Sequence, residues 1–265
     1  MVIFMILKDS ISTQLLNVDS ISYHIILPTG SAISNVLFWL HGYQESSDDI
    51  LCKSNLSHYV EKYQTAVIIP NLPDTYYMNH PWEHCDTESF FIQEFIPYII
   101  QKYHLPAQRK HTFLAGASMG GFGSLLIGSH YPELFGTIIC ISGAFIIDDI
   151  LLGNPEVVGN AQKTFSHFQK LFGDITSLSS SMERNPGIAA LQALENGTLP
   201  PIYICCGKQD MLCIRNQKLY HTLQNAGADV SFTIIEGGHD WNCFNKAVDT
   251  LFETFHNGNH NITGE

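Results

Sequence analysis

Three side chains in this sequence have the types and order needed to turn a hydroxyl into a nucleophile: Ser118, Asp210 and His239. A serine hydroxyl attacks an acyl carbon only when a base takes its proton and an acid holds that base in place. Ser118 lies in Gly116-Ala117-Ser118-Met119-Gly120, a G-x-S-x-G. Asp210 ends Cys206-Gly207-Lys208-Gln209-Asp210, and His239 follows Glu236-Gly237-Gly238. In that division of labour His239 is general base and then general acid, and Asp210 orients its ring. Asp240 rivals Asp210 for the acid, but a residue adjacent to His239 folds back onto its ring awkwardly. A tetrahedral intermediate also needs two N–H donors. Met119, directly after the serine, offers one, and Tyr43 the second, since Gly42 lets that backbone come close.

Such a set works only if the chain delivers it. Thr112 to Leu114 is a short apolar run, broken by the glycine-rich turn and followed by Phe122, Leu125 and Leu126 at helical spacing. Strand, sharp turn and helix N-terminus are the context that makes G-x-S-x-G a nucleophile elbow rather than a short chance match. The helix N-terminus then directs free N–H groups and the positive end of its dipole toward the serine. Residues 202–206 read as a strand ahead of Asp210, and 230–235 as one ahead of His239. Further strands are expected at 2–7, 20–27, 36–40, 66–69 and 137–141, the first two antiparallel. Helices are expected at 48–63, interrupted near Ser54-Asn55, and at 88–103, 213–226 and 241–255. Strands alternating with helices imply an α/β fold, a mostly parallel sheet with helices on both faces.

Two stretches stand outside this rhythm. Residues 70–86 form a long loop rich in Pro, Asn and aromatic residues, and loops of that length in compact domains are usually functional. Tyr76, Tyr77 and Trp82 in it are candidate walls of an acyl or sugar pocket. His80, His84, Cys85 and Asp86 have ligand chemistry, but Pro81 argues against the helix that an H-x3-H zinc pair would need, so no metal is expected. From 142 to 200 the pattern loosens, with short helices at 166–172 and 187–195, and reads as an insertion over the site. Residues 1–256 are expected to form a single domain and 257–265 a disordered tail.

Composition narrows the partners. Charged residues are 14% and hydrophobic ones 45%, as in a compact globular protein. Asp and Glu outnumber Lys and Arg by 25 to 13, for a formal net charge of −12. No basic stripe is present, so neither nucleic acid nor an anionic membrane is an expected partner. The apolar start Met1 to Leu7 has no cationic residues before it and no small-residue cleavage site after it, so a first strand is the better reading. Seven cysteines at irregular spacing suit reduced thiols in the cytoplasm. Oligomeric state stays open, homo-oligomers included.

Four segments together resemble one family: Leu40-His41-Gly42-Tyr43, Gly116 to Gly123, Cys206 to Leu212, and Gly237-Gly238-His239-Asp240-Trp241. They are similar to the esterase D-type family of α/β-hydrolases, nearest its tributyrin-esterase and acetylesterase branch, over roughly residues 1–256. The resemblance implies the α/β-hydrolase fold, Ser118, Asp210 and His239 as triad, and the Tyr43 and Met119 amides as oxyanion hole. It implies a small-molecule ester substrate with a short acyl group (acetyl or butyryl, including acylated carbohydrates) and no cofactor. A thioesterase or acyltransferase of the same fold, such as an S-formylglutathione hydrolase, is the alternative within the class. Those enzymes usually carry a different oxyanion segment and His-Ser-Tyr where this chain has His239-Asp240-Trp241. A non-catalytic binding protein on this fold would be expected to lack a triad member, and none is lacking here.

Overall fold

A computed structural model describes residues 4–29, 32–153 and 161–256. Its framework is one eight-stranded sheet. The strands are β1 (Phe4–Ser12), β2 (Ser20–Pro28), β3 (Asn35–Leu40), β4 (Thr65–Pro70), β7 (Thr112–Ala117), β8 (Thr137–Ile141), β9 (Ile202–Gly207) and β10 (Val230–Ile235). The numbers β5 (Asn79–His80) and β6 (Cys85–Asp86) belong to a separate two-stranded ribbon. Across the sheet the order is β1-β2-β4-β3-β7-β8-β9-β10. The β1–β2 and β2–β4 pairs are antiparallel and all others parallel. Every residue of β4, β8 and β9 is buried, which is why these strands read as unbroken apolar runs.

The first strand runs five residues beyond the expected 2–7, because β1 pairs with β2 continuously from Phe4↔Pro28 to Ser12↔Ser20. Apolar alternation could not show this: β1 is an edge strand on which Met5 and Ile6 stay about half exposed. The expected helix at 48–63 is two pieces, Ser47–Lys53 and Ser57–Val60, broken after Lys53. Ser46 and Asp49 close the first piece in a reciprocal capping box. The 88–103 helix holds an inner widened turn at Phe90–Phe95, where the Ile96 N–H bonds back to Phe91 O. Pro97 follows directly and has no N–H to give, so the regular ladder is interrupted there in any case.

Helices cover both faces. The helix Met119–His130 lies on one side with Phe122, Leu126 and Ile127 fully buried. The two short helices after β3 and the terminal helix Trp241–His256 lie on the other, over Leu37, Val67, Ala115 and Ile139. Segment 142–200 is more helical than its sequence suggests: Ile147–Leu152, Ala161–Phe172 and Pro186–Glu195, with a 3-10 stretch at Ile175–Ser180. Pro186–Glu195 packs on the Met119–His130 helix through Ala189, Ala190 and Ala193, small residues that allow close approach. The tail 257–265 lies outside the described residues. No helix among the described residues is long and apolar enough to cross a membrane.

Candidate active site

The elbow forms where β7 meets its helix. Ser118 has φ 56° and ψ −116°, a left-handed conformation that costs a non-glycine residue of order 1–3 kcal/mol. The turn tolerates no bulk: a Cβ on Gly120 would lie 2.0 Å from Leu40 O. The strained residue is pinned from both ends, its N–H donating to Ile141 O at 2.9 Å and its carbonyl accepting from the Ala144 and Phe122 N–H groups.

Ser118, His239 and Asp210 meet. The Ser118 hydroxyl lies 3.0 Å from His239 Nε2, and His239 Nδ1 lies 2.8 Å from Asp210 Oδ2. With the ring proton on Nδ1, His239 donates to Asp210 and accepts from Ser118. The Asp210 side chain is wholly buried. Burial pushes its carboxyl up, but hydrogen bonds from His239, the Leu212 N–H and the Ser142 hydroxyl outweigh that and hold it below the usual range. The Leu212 N–H reaches Asp210 Oδ1 at 2.7 Å. Asp240 is engaged elsewhere: Oδ1 accepts from the Asn242 and Cys243 N–H groups and caps the terminal helix.

Several supports were not legible in the sequence. Gln209 ties the two partner loops together, its N–H donating to Gly237 O (3.0 Å) and its side chain accepting from the Gly237 N–H (2.9 Å). Ser142, also left-handed at φ 47°, is fully buried behind Asp210 and accepts from Cys206 Sγ. Asn216 fixes the next residue, accepting from the Gly143 N–H at 3.0 Å and donating to Gly143 O at 2.9 Å. None of these carries a motif; only the fold makes them neighbours.

The Tyr43 loop comes over the elbow from β3. No backbone hydrogen bond from the Tyr43 or Met119 N–H is found among the described residues. The loop around them is tightly held. Tyr77 O–H donates to His41 O at 2.6 Å, the His41 ring bonds Gly42 O and Leu72 O, and Glu45 accepts from the Gly42 N–H and the Trp241 indole N–H. Tyr77 is therefore completely buried and lines no opening; it packs on Gly123, where a Cβ would come within 2.3 Å of its ring. Removing its hydroxyl (Tyr77→Phe) leaves the buried His41 carbonyl short of a donor, which costs about 1–3 kcal/mol. We expect a lower Tm in thermal denaturation and a fall in kcat larger than any rise in KM.

The other two candidate walls part company. Tyr76 is 7% exposed and meets the Phe122 ring edge-on at 5.1 Å and the Phe172 ring at 5.0 Å, beside the elbow helix. Trp82 is 51% exposed, stacks on His80 at 5.1 Å and donates its indole N–H to Lys170 O. It lines a separate cavity of about 680 Å³ with Glu88, His130 and Arg184, whose lining includes neither Ser118, His239 nor Tyr43. The ribbon β5–β6 turns it outward, where it fastens the helix Ala161–Phe172. That helix reaches the site through His167, whose ring meets Tyr43 edge-on at 6.2 Å. Among the described residues no group of three or more His, Cys, Asp or Glu side chains is arranged to hold a metal.

Residues 18–254 match the family described as "Putative esterase". An acetyl esterase of Caldicellulosiruptor saccharolyticus is 32% identical over 249 residues, 94% of this chain and 93% of that one. Among solved structures, the fluorophosphonate-binding serine hydrolase FphF of Staphylococcus aureus has a TM-score of 0.81 at 22% identity, over 94% of this chain and 97% of that one. An S-formylglutathione hydrolase of Staphylococcus aureus has a TM-score of 0.79 at 22% identity, over 94% and 98%. These structural likenesses show the fold, that of the α/β-hydrolases.

Proposed function

The chain belongs to the Putative esterase family, and from that premise we propose a serine carboxylesterase that cleaves short acyl esters of small molecules through an acyl-enzyme. The observation that carries the mechanism is the unbroken relay Ser118–His239–Asp210, with links of 3.0 and 2.8 Å. Ser118 Oγ attacks the ester carbonyl as His239 Nε2 takes its proton. Negative charge then develops on the carbonyl oxygen, where the Met119 and Tyr43 N–H groups stabilise it. His239 returns the proton to the departing alcohol, leaving the acyl group on Ser118. Water repeats the sequence and releases the acid. Asp210, ionised and buried, stabilises the imidazolium that forms twice per turnover.

Support for a short acyl group comes from the packing beside the elbow. Phe122 and Phe172 are fully buried and Tyr76 closes on both, so a longer chain would have to displace packed rings. An acetyl esterase among the relatives points the same way. Acetate to butyrate p-nitrophenyl esters should be hydrolysed at higher kcat/KM than octanoate, by about tenfold or more. Tyr76→Ala should move that preference toward longer chains, whereas Trp82→Ala, on its separate cavity, should not. A wild-type preference for octanoate would overturn the short-acyl reading.

Residues 1–256 are read as one catalytic domain, supported by a single eight-stranded sheet that draws strands from Phe4 to Ile235. Segment 142–200 is read as its cover, supported by the His167–Tyr43 contact. Cytoplasmic residence is supported by seven free cysteines, five of them buried.

A further inference from the structure

The helix that follows Asp210, Cys213–Asn225, buries only two of its 13 residues, Leu223 and Asn216. Leu223 sits in an apolar cluster with Ile138, Ile202 and Ile204. Asn216, equally buried, is a costly choice for such a place. A carboxamide loses its water there, and Asn is a poorer helix former than Ala or Leu. Its polar atoms all find partners instead. Oδ1 accepts from the Gly143 N–H at 3.0 Å, and Nδ2 donates to Gly143 O and to Leu212 O, both at 2.9 Å.

These bonds join the two halves of the relay. On one side, Leu212 holds the acid: its N–H donates to Asp210 Oδ1 at 2.7 Å, while its carbonyl is taken by Asn216. On the other side, Gly143 stands between two residues that touch the site. The Ser142 hydroxyl bonds the Asp210 carboxylate, and the Ala144 N–H donates to Ser118 O at 2.9 Å. Gly143 also lies against the elbow helix, where a Cβ on Gly121 would come within 2.9 Å of its Cα. A residue gripped at both N–H and C=O by one planar amide has little freedom to slide or turn. That grip has a visible consequence next door. Ser142 keeps a left-handed φ of 47°, a conformation that persists only where the surroundings enforce it.

We propose that Asn216 is a positioning residue for catalysis, clamping segment Ser142–Ala144 to the Asp210 loop and so setting the spacing between acid and nucleophile elbow. It touches no reacting atom and acts through Asp210 and Ser118. The inference rests on the Ser118–His239–Asp210 mechanism proposed above. A misplacement of about 1 Å by a residue far from the chemistry can cost about 10²-fold in rate. Substrate binding has no comparable dependence on where Asp210 stands, so kcat should suffer and KM should not.

Asn216→Ser is the milder variant. A serine hydroxyl in a helix can still bond the carbonyl four residues earlier, here Leu212 O, while the reach to Gly143 is lost. Its kcat for p-nitrophenyl acetate should fall about 10–100-fold with KM within about twofold of wild type. Asn216→Ala should lose at least as much and melt lower, because both Gly143 and Leu212 then lose a partner. Asn216→Ser combined with Asp210→Asn should be only slightly slower than Asp210→Asn alone, since the clamp then positions an acid already removed. One readout needs no turnover: the far-downfield proton NMR resonance of His239 Nδ1–H, bonded to Asp210, should shift or broaden in Asn216→Ser. If wild type hydrolyses no ester and this resonance still responds, the esterase reading fails and the positioning role stands. A kcat loss below twofold in Asn216→Ser, an unmoved resonance, or fully additive losses in the double variant would overturn the inference.

Discussion

Ser118→Ala is expected to lower kcat for p-nitrophenyl acetate by on the order of 10⁵–10⁶, the loss seen when a triad serine is removed and only the oxyanion donors and binding remain. Stability should not follow activity. The alanine keeps the left-handed φ of 56° with its Cβ, so its Tm should stay close to wild type. Ser118→Gly removes the Cβ and with it strain of about 1–3 kcal/mol, so it should be inactive and yet melt higher. A fluorophosphonate should label wild type and neither variant. Retention of a tenth of wild-type kcat in Ser118→Ala would remove this residue from the mechanism, whatever its geometry.

The elbow was legible because its chemistry is compressed into consecutive residues. One strand, one sharp turn and one helix fix the serine, and each leaves a mark within a dozen positions. The candidate acid and base were placed for a related reason: each follows an apolar strand directly, so Asp210 and His239 could be put at strand ends without knowing the strand order. What holds them in place was not. Glu45 meets Trp241 from 196 positions away, Ser142 meets Cys206 across 64, and Asn216 meets Gly143 across 73. Contacts of that kind leave no periodicity and no spacing, only ordinary polar residues.

The aromatic loop shows the same limit from the other side. Tyr76, Tyr77 and Trp82 are equally bulky in sequence, and all three were expected to wall the pocket. Left-handed turns at Tyr76 and Tyr77 (φ 53° and 62°) then send neighbouring rings to different fates. Tyr76 goes against Phe172, Tyr77 goes under the His41-Gly42 loop, and beyond them the β5–β6 ribbon turns Trp82 outward. Residue type gave their bulk, and backbone geometry their roles. Segment 142–200 was hard to read because its helices bury narrow stripes against other helices rather than against the sheet, as with Ala189, Ala190 and Ala193.

Asp210→Asn against Asp240→Asn separates the two candidate acids most sharply. An amide at 210 can present its N–H₂ to His239 Nδ1, which favours the tautomer with the proton on Nε2 and leaves no lone pair for the serine proton. The expected cost is on the order of 10²–10⁴ in kcat. Asparagine at 240 should change kcat little, because Asn caps a helix about as well as Asp and the Asn242 and Cys243 N–H groups keep their acceptor. Asp240→Ala should cost about 1 kcal/mol of stability through that cap and still leave kcat near wild type. The pH dependence of melting gives a second, independent reading. A carboxyl whose folded pKa lies below its unfolded value, about 3.9, contributes stability that is present above that value and lost as pH falls through the folded one. Wild type should therefore melt above Asp210→Asn at neutral pH, and the gap should narrow as the solution is acidified below pH about 4. A larger kcat loss in Asp240→Asn than in Asp210→Asn would transfer the acid role to Asp240. It would also mean that the 2.8 Å contact between Asp210 and His239 is structural rather than catalytic.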